Sequence, residues 1–155
     1  MRQLYLVRHA QAEPERTTDE ERALTAKGCR QAARLGRFLA KQDLAVGPVF
    51  SSPLVRAVQT AELLAKPLRK KVKLSRELVP GLTPARLRVF LGQQASWDCL
   101  LMVGHEPDLS EAAADLLACP AARLRVKKAT LLRLSFAEEK LELATLDFLV
   151  PVALL

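Results

Sequence analysis

Cys99-Leu100-Leu101-Met102-Val103, followed at once by Gly104-His105, is the segment that most strongly constrains the fold. An apolar run of this length predicts a buried β-strand. A similar run, Gln3-Leu4-Tyr5-Leu6-Val7, predicts a second buried strand and ends in Arg8-His9. The chain has only two histidines, and both directly follow a predicted buried strand.

Helical patterns alternate with strands along the rest of the chain. Thr25 is a suitable N-cap for a helix that runs to about Gln42, and Pro53 suits the first turn of a second helix. Thr83-Pro84 opens a third helix, and a fourth begins at Pro107 or Leu109. Short strands are predicted at 49–51 and 72–74, and a further extended segment at 78–79. Alternating apolar residues at 129–136 and 141–146 predict a C-terminal β-hairpin.

This alternation predicts an α/β fold: a three-layer α/β/α sandwich with a mainly parallel central sheet, an antiparallel edge and a C-terminal β-hairpin. A chain of 155 residues can bury its own core, and no internal repeat or linker divides it. Residues 1–155 are therefore predicted to form a single domain. Because ligands gather at the carboxyl ends of the strands in such sheets, Arg8-His9 and His105 are expected to share a site.

Composition and charge narrow the choice of partner and compartment. The formal net charge of +7 favours acidic partners, namely phosphates, an acidic protein surface or nucleic acid. Nucleic acid is disfavoured because no aromatic residues interleave the basic stretch at 66–76. That stretch is interpreted as solvated, and so is Lys127-Lys128, for which contact with an acidic partner is the alternative.

Cysteine usage and the apolar segments bear on where the protein is found. The three cysteines are an odd number without CxxC spacing, which disfavours a disulfide framework and predicts a reducing compartment. The N-terminal apolar run is interrupted too early for a signal peptide, and the C-terminal one is too short to span a bilayer. We therefore expect a cytoplasmic protein with no membrane partner.

Four side chains are the candidates for chemistry: Arg8, His9, Arg56 and His105. A neutral imidazole can act as a nucleophile, and a second imidazole can hydrogen-bond a phosphoryl oxygen. The planar forks of the arginines match phosphate oxygens, and Arg56 is expected near the anion-favouring amino end of the second helix. A metal ion is disfavoured, because two arginines repel a dication and no carboxylate cluster accompanies the histidines.

Four motifs, in order, resemble those of the histidine phosphatase superfamily, the phosphoglycerate mutase-like group. They are Leu6-Val7-Arg8-His9-Ala10, Leu24-Thr25-Ala26-Lys27-Gly28, the stretch 51–61, and Val103-Gly104-His105-Glu106-Pro107. The chain is short for this superfamily and has no long insertion between Arg56 and His105 to form a lid. It most resembles the compact bacterial SixA-type branch, which acts on phosphohistidine in proteins.

The resemblance implies a role for each matching residue. His9 attacks phosphorus through one ring nitrogen while a backbone acceptor holds the other, and water hydrolyses the resulting phosphohistidine. Arg8, Arg56 and His105 bind the phosphoryl oxygens, so no metal or other cofactor is required. Ala10 stands where the family usually has glycine, and we expect it to be tolerated if its backbone dihedrals are ordinary.

The general acid and the substrate are less well defined by the sequence. Glu77, Glu106 and Glu13 are candidate acids, although each also fits an ordinary surface or loop carboxylate. The leading hypothesis is a metal-independent phosphatase acting on phosphohistidine in proteins, because transfer between two imidazole nitrogens depends less on a strong acid. The alternatives are a broader phosphomonoesterase acting on a small phosphate ester and, from another class, a non-catalytic phosphate-binding module.

Overall fold

A mixed six-stranded sheet forms the middle of the fold in this computed structural model, which describes residues 1–14, 18–42, 46–94, 97–119, 123–137 and 141–155. The strands are β1 (Arg2–Arg8), β2 (Val49–Ser51), β3 (Val72–Leu74), β4 (Cys99–Gly104), β5 (Thr130–Phe136) and β6 (Thr145–Pro151). Their order is β3-β2-β4-β1-β5-β6. The first four strands run parallel, β5 is antiparallel to β1, and β6 is antiparallel to β5. The predicted mainly parallel sheet with an antiparallel edge and a terminal hairpin is confirmed.

Helices cover both faces of this sheet. They are α1 (Ala26–Lys41), α2 (Val55–Ala65), α3 (Pro84–Gln93) and α4 (Asp108–Leu116). Tyr5 and Val7 of β1 share one core cluster with α1 and α2, whereas Leu4 and Leu6 share the other with α3 and α4. All four β1 side chains are fully buried, which explains why the strand is apolar without alternation. The predicted three-layer sandwich is confirmed.

The predicted helix starts depend on threonine caps. The Thr25 hydroxyl accepts a hydrogen bond from the Gly28 N–H at 3.0 Å, so α1 begins at the next residue. The Thr83 hydroxyl accepts one from the Arg86 N–H at 3.3 Å, and Pro84 is the first residue of α3. Each cap satisfies a backbone donor that has no partner within the helix.

Two local predictions were wrong. Pro53 does not lie in the first turn of α2, because the Ser52 hydroxyl accepts a hydrogen bond from the Leu54 N–H and the helix begins at Val55. Residues 78–79 do not form a strand, and only Val79 has extended backbone dihedrals. The chain forms a short 3-10 helix at Arg76–Leu78 instead, with the Ser75 hydroxyl accepting a hydrogen bond from the Glu77 N–H.

The second strand of the hairpin was also predicted too early. It was expected at 141–146, but β6 begins at Thr145. Most of the turn predicted before it, at 137–140, lies outside the described residues. The Ala144 N–H donates to the Leu116 carbonyl at 2.8 Å, which ties the preceding segment to α4 and not to β5. The C-terminal apolar run therefore supplies much of β6. None of the described helices has both the length and the apolar character needed to cross a membrane.

Candidate active site

The carboxyl ends of β1 and β4 bring both histidines together. Arg8 ends β1 opposite Gly104, and the His9 N–H continues the ladder by donating to the Gly104 carbonyl at 3.1 Å. His105 follows Gly104 directly. The centroids of the two imidazole rings lie 5.3 Å apart, and the side chains are almost completely buried. The predicted meeting of Arg8-His9 and His105 at one sheet edge is present in the structure.

The partners of His9 define its tautomer. Nδ1 lies 2.8 Å from the carbonyl oxygen of Ala10, which can only accept, so Nδ1 carries the proton. Nε2 lies 3.3 Å from the Nε–H of Arg56, which can only donate, so Nε2 presents its lone pair. The ring is therefore held as a neutral imidazole whose unprotonated nitrogen faces a cation. This is the orientation that a nucleophile toward phosphorus requires.

Arg56 lies in the first turn of α2 and is only 4% exposed. Besides its contact with His9, its Nη1 donates to the backbone carbonyl of Asp19 at 2.6 Å and its Nη2 to Asp19 Oδ2 at 2.9 Å. Asp19 also pairs with Arg22 at 2.9 Å. Hydrogen bonds from Arg22 lower the pKa of the Asp19 carboxyl, with a further contribution from Arg56. Asp19 thus acts as an ionised orienting group for the arginine.

Nothing in the sequence singled out Asp19. It belongs to a polar stretch with several acids, and its contact with Arg56 spans 37 positions. The only local signal is Arg22, three residues further along the chain.

His105 and Arg8 present polar atoms without partners. Both ring nitrogens of His105 and the Nε of Arg8 are buried, and no described group hydrogen-bonds to them. The Nη1 of Arg8 donates to the Val126 carbonyl at 2.8 Å, which fixes the guanidinium in place. Because a buried polar atom without a partner is costly, these atoms are suited to a ligand rich in acceptors. A phosphoryl group has three such oxygens.

Ala10 is accommodated where glycine was expected. Its φ is not positive, so the backbone does not require glycine. Its N–H donates to the Thr60 hydroxyl at 3.0 Å, and that hydroxyl donates to the Arg56 carbonyl at 2.7 Å. Thr60 therefore connects the segment that follows His9 to the helix that carries Arg56.

Gly28 explains why a glycine stands in the first turn of α1. A Cβ at this position would lie 2.0 Å from the Gln11 carbonyl oxygen, far inside van der Waals contact. The Gln11 N–H in turn donates to Gln31 Oε1 of α1 at 3.0 Å. The helix thus packs directly on the backbone two residues after His9 and limits the movement of that segment.

The three candidate general acids lie in different surroundings. Glu77 forms an exposed ion pair with Arg86 at 2.8 Å and has no hydrogen bond to the four site residues. Glu13 is exposed, and its backbone bonds to Ala23 and Arg22. Glu106 is half-buried, lines a cavity together with Arg8, and accepts a hydrogen bond from the Ser110 N–H at 2.9 Å. Burial raises the pKa of Glu106, which favours the protonated form of its carboxyl.

Burial and positive charge keep both histidines neutral. Burial lowers the pKa of His9 to about 3, and His105, Arg56 and Arg8 add to the effect. Burial also lowers the pKa of His105 to about 4, helped by Arg56 and Arg8. Within the described residues, no three His, Cys, Asp or Glu side chains cluster in a way that could hold a metal ion.

We expect neither histidine to titrate between about pH 5 and pH 8 in the folded protein. Since both folded-state pKa values lie below the ordinary value of about 6.5, the unfolded chain binds more protons, and stability falls as pH drops below about 6.5 toward 4. Side-chain NMR measures this directly, because the chain contributes only two histidine signals. A titration midpoint near neutral pH for either signal would contradict the prediction.

Comparison with known sequences agrees with this geometry. The sequence profile of the histidine phosphatase superfamily (branch 1) matches residues 4–79, which include Arg8, His9 and Arg56. The chain belongs to the histidine phosphatase superfamily. Phosphohistidine phosphatase SixA of Escherichia coli K12 is 29% identical over 126 residues, covering 76% of this chain and 74% of SixA. An uncharacterized protein of Picosynechococcus is 31% identical over 152 residues, covering 92% and 90% of the two chains.

Solved structures show the same fold. A protein histidine phosphatase SixA complexed with tungstate superimposes with a TM-score of 0.81 at 23% identity, covering 97% of each chain. A mycobacterial glucosyl-3-phosphoglycerate phosphatase superimposes with a TM-score of 0.77 at 19% identity, covering 96% of this chain and 98% of the other. The likeness to SixA in sequence and in length confirms the compact SixA-type branch. Membership of the superfamily supports a phosphatase enzyme, and phosphatases of this fold differ in substrate.

Proposed function

We propose that this chain hydrolyses phosphohistidine on proteins through a covalent phosphohistidine intermediate on His9. The observation that carries the proposal is the held tautomer of His9, with Nδ1–H bonded to the Ala10 carbonyl and the Nε2 lone pair facing Arg56. In this proposal residues 1–155 form one catalytic domain that works in the cytoplasm without a metal or other cofactor.

The reaction proceeds in two displacements. The Nε2 lone pair of His9 forms a bond to phosphorus as the P–N bond to the substrate imidazole breaks, and the departing nitrogen takes a proton from solvent. Water then attacks the phosphorus of phospho-His9 and loses one proton to solvent, the new P–N bond breaks, and Nε2 regains its lone pair as phosphate leaves. Arg8, Arg56 and His105 bind the three equatorial oxygens and stabilise the charge that develops on them.

The surroundings of the acids support a phosphohistidine substrate. Asp19 is ionised beside Arg56 and therefore holds no proton to donate. An imidazole leaving group needs less help from an acid than an alkoxide, whose departure requires a proton. Glu106 is the exception, because burial raises the pKa of its carboxyl and so favours the form that carries a proton. For this reason hydrolysis of a small phosphate ester, with Glu106 as the general acid, is the second candidate function.

The two functions can be separated by comparing phosphate release from two substrates. One is a phosphohistidine-bearing phosphotransfer protein, and the other is p-nitrophenyl phosphate. We expect kcat/KM to be about 100-fold higher for the protein. Glu106→Gln should slow the ester about 100-fold more than the phosphoprotein, at the lower end of the usual range for general acids. Efficient ester hydrolysis without any release from the protein would overturn the proposal. An inactive protein that still gains thermal stability from vanadate would indicate the non-catalytic phosphate-binding module.

A further inference from the structure

The cavity that Arg8 shares with Glu106 extends beyond the phosphate-binding groups. It has a volume of about 370 Å³ and is lined by Arg8, Glu106 and residues 123–127. The lining segment is tied to the site, because the Val126 carbonyl accepts the Arg8 Nη1 hydrogen bond. A few residues later, the Ala129 N–H donates to the carbonyls of both Arg8 and His9 at 3.2 Å. The cavity is thus held at a constant place beside the phosphate-binding groups.

Positive charge dominates the lining of this cavity. Arg123, Arg125 and Lys127, here called the basic rim, are all exposed. None of the three forms an ion pair with a carboxylate in the described parts of the chain. The single carboxylate of the lining, Glu106, already accepts a hydrogen bond from the Ser110 N–H. Among the described residues, the lining thus holds more cationic than anionic side chains, and an anionic partner can neutralise the excess positive charge.

The segment that carries the basic rim also places one further cation close to the catalytic centre. Lys128 follows the rim directly and is half-buried. Burial lowers the pKa of Lys128, and the nearby charges of Arg8, Arg22 and Arg56 lower it further. Lys128 thus lies in sequence between the exposed rim and Ala129, whose N–H donates to the carbonyls of Arg8 and His9.

We propose that the basic rim binds carboxylates that flank the phosphorylated side chain of a protein substrate. This inference rests on the proposed function and specifies the substrate as an acidic protein surface. The exposed rim side chains can be reached by Asp and Glu residues of another protein, and the cavity has room for such side chains beside the bound phosphoryl group. Opposite charges at this position steer encounter and set the orientation of the partner.

A matched control lies on α1. Arg34, Arg37 and Lys41 are also exposed or half-exposed cations, in the second half of that helix. The chain after α1 returns to the opposite edge of the sheet, where the Gly47 N–H donates to the Cys99 carbonyl at the start of β4. Neutralising these three residues removes three positive charges, as in the rim variant, but none of the three lines the cavity.

The test compares R123Q/R125Q/K127Q with R34Q/R37Q/K41Q. For the phosphohistidine protein, we expect the rim variant to lower kcat/KM about tenfold, mainly through KM, and to weaken its dependence on salt. Hydrolysis of phosphoimidazole, which has no flanking carboxylates, should change by less than about twofold, and the α1 variant should leave both reactions unaltered. Equal losses in the two variants, or an equal loss with phosphoimidazole, would overturn the proposal.

A binding measurement keeps the inference testable if no phosphoprotein is hydrolysed. Fluorescence anisotropy with a labelled glutamate-rich peptide should show about tenfold weaker binding to the rim variant than to the wild-type chain or the α1 variant. If the peptide bound the rim variant as tightly as the wild-type chain, the proposal that the rim binds carboxylates would be rejected. It would also be rejected if a single-stranded oligonucleotide bound these residues more tightly than the peptide. Failure of the proposed function gives a different result from failure of the rim proposal. In that case the wild-type chain itself releases no phosphate from either the phosphoprotein or phosphoimidazole.

Discussion

Phosphate release is expected to fall by about 10⁴-fold or more when His9 is replaced by alanine, because the nucleophile and the covalent intermediate are removed together. The remaining residues still bind phosphate, so affinity for vanadate should be reduced far less than turnover. The measurement is a single-turnover assay with ³²P-labelled phosphohistidine protein, quenched in base, in which the label on this chain is followed. Wild-type chain should carry a transient, acid-labile label, and H9A should carry none.

The second histidine provides the matched control. His105 is buried next to His9 and has the same side chain, but no residue that the structure describes hydrogen-bonds to its ring nitrogens and so sets a nucleophilic tautomer. H105A should therefore slow the reaction by about 10²- to 10³-fold, as expected when one donor to the transition state is lost, and should still become labelled. Label retained on H9A but absent from H105A would reverse the two roles.

The part of the site that could be predicted from the sequence depends on short-range patterns. Arg8-His9 and His105 each follow an apolar run, and two parallel strands necessarily end at the same edge of their sheet. Arg56 could be placed in the first turn of α2 because the preceding Ser-Ser-Pro turn separates strand from helix. Each of these inferences uses only residues that are close to one another in the sequence. The one general rule needed is that a strand buried on both faces lies inside a layered fold.

What could not be predicted depends on contacts between distant segments. The orienting carboxylate of Asp19 reaches Arg56 only because the loop before α1 folds over α2, where the Val55 N–H donates to the Glu20 carbonyl. The position of β6 is similar, since Ala144 is tied to α4 through Leu116. Alternation of apolar residues alone cannot show which half of the C-terminal segment pairs with β5.

The basic rim combines both situations. Lys127 was interpreted from its charge as a solvated residue, and the structure shows that it is exposed. That interpretation does not include the contact made by the residue before it. Its neighbour Val126 is buried and accepts the Arg8 hydrogen bond across 118 positions. A contact of this range is set by the closing of β5 against β1, and the sequence contains no local pattern that reports it.

Arg56 is expected to tolerate no substitution, and the lysine variant is the more informative one. Its guanidinium makes three hydrogen bonds at once, from Nε to His9 and from Nη1 and Nη2 to Asp19. An ammonium keeps the charge but lacks the planar fork, so it cannot face His9 Nε2, two Asp19 oxygens and a phosphoryl oxygen in one geometry. We expect kcat/KM to fall by about 10²- to 10³-fold in R56K and by a further factor of about ten in R56A.

The control for R56K is R86K, which makes the same exchange in the exposed ion pair with Glu77. Because both partners of that pair are about half exposed, activity and melting temperature should be unaltered. A second measurement separates geometry from charge: vanadate should still stabilise R56K, although less than the wild-type chain, and should stabilise R56A least. If R56K kept its activity within about threefold, charge alone would suffice, and the fork held by Asp19 would have no part in orienting the phosphoryl group.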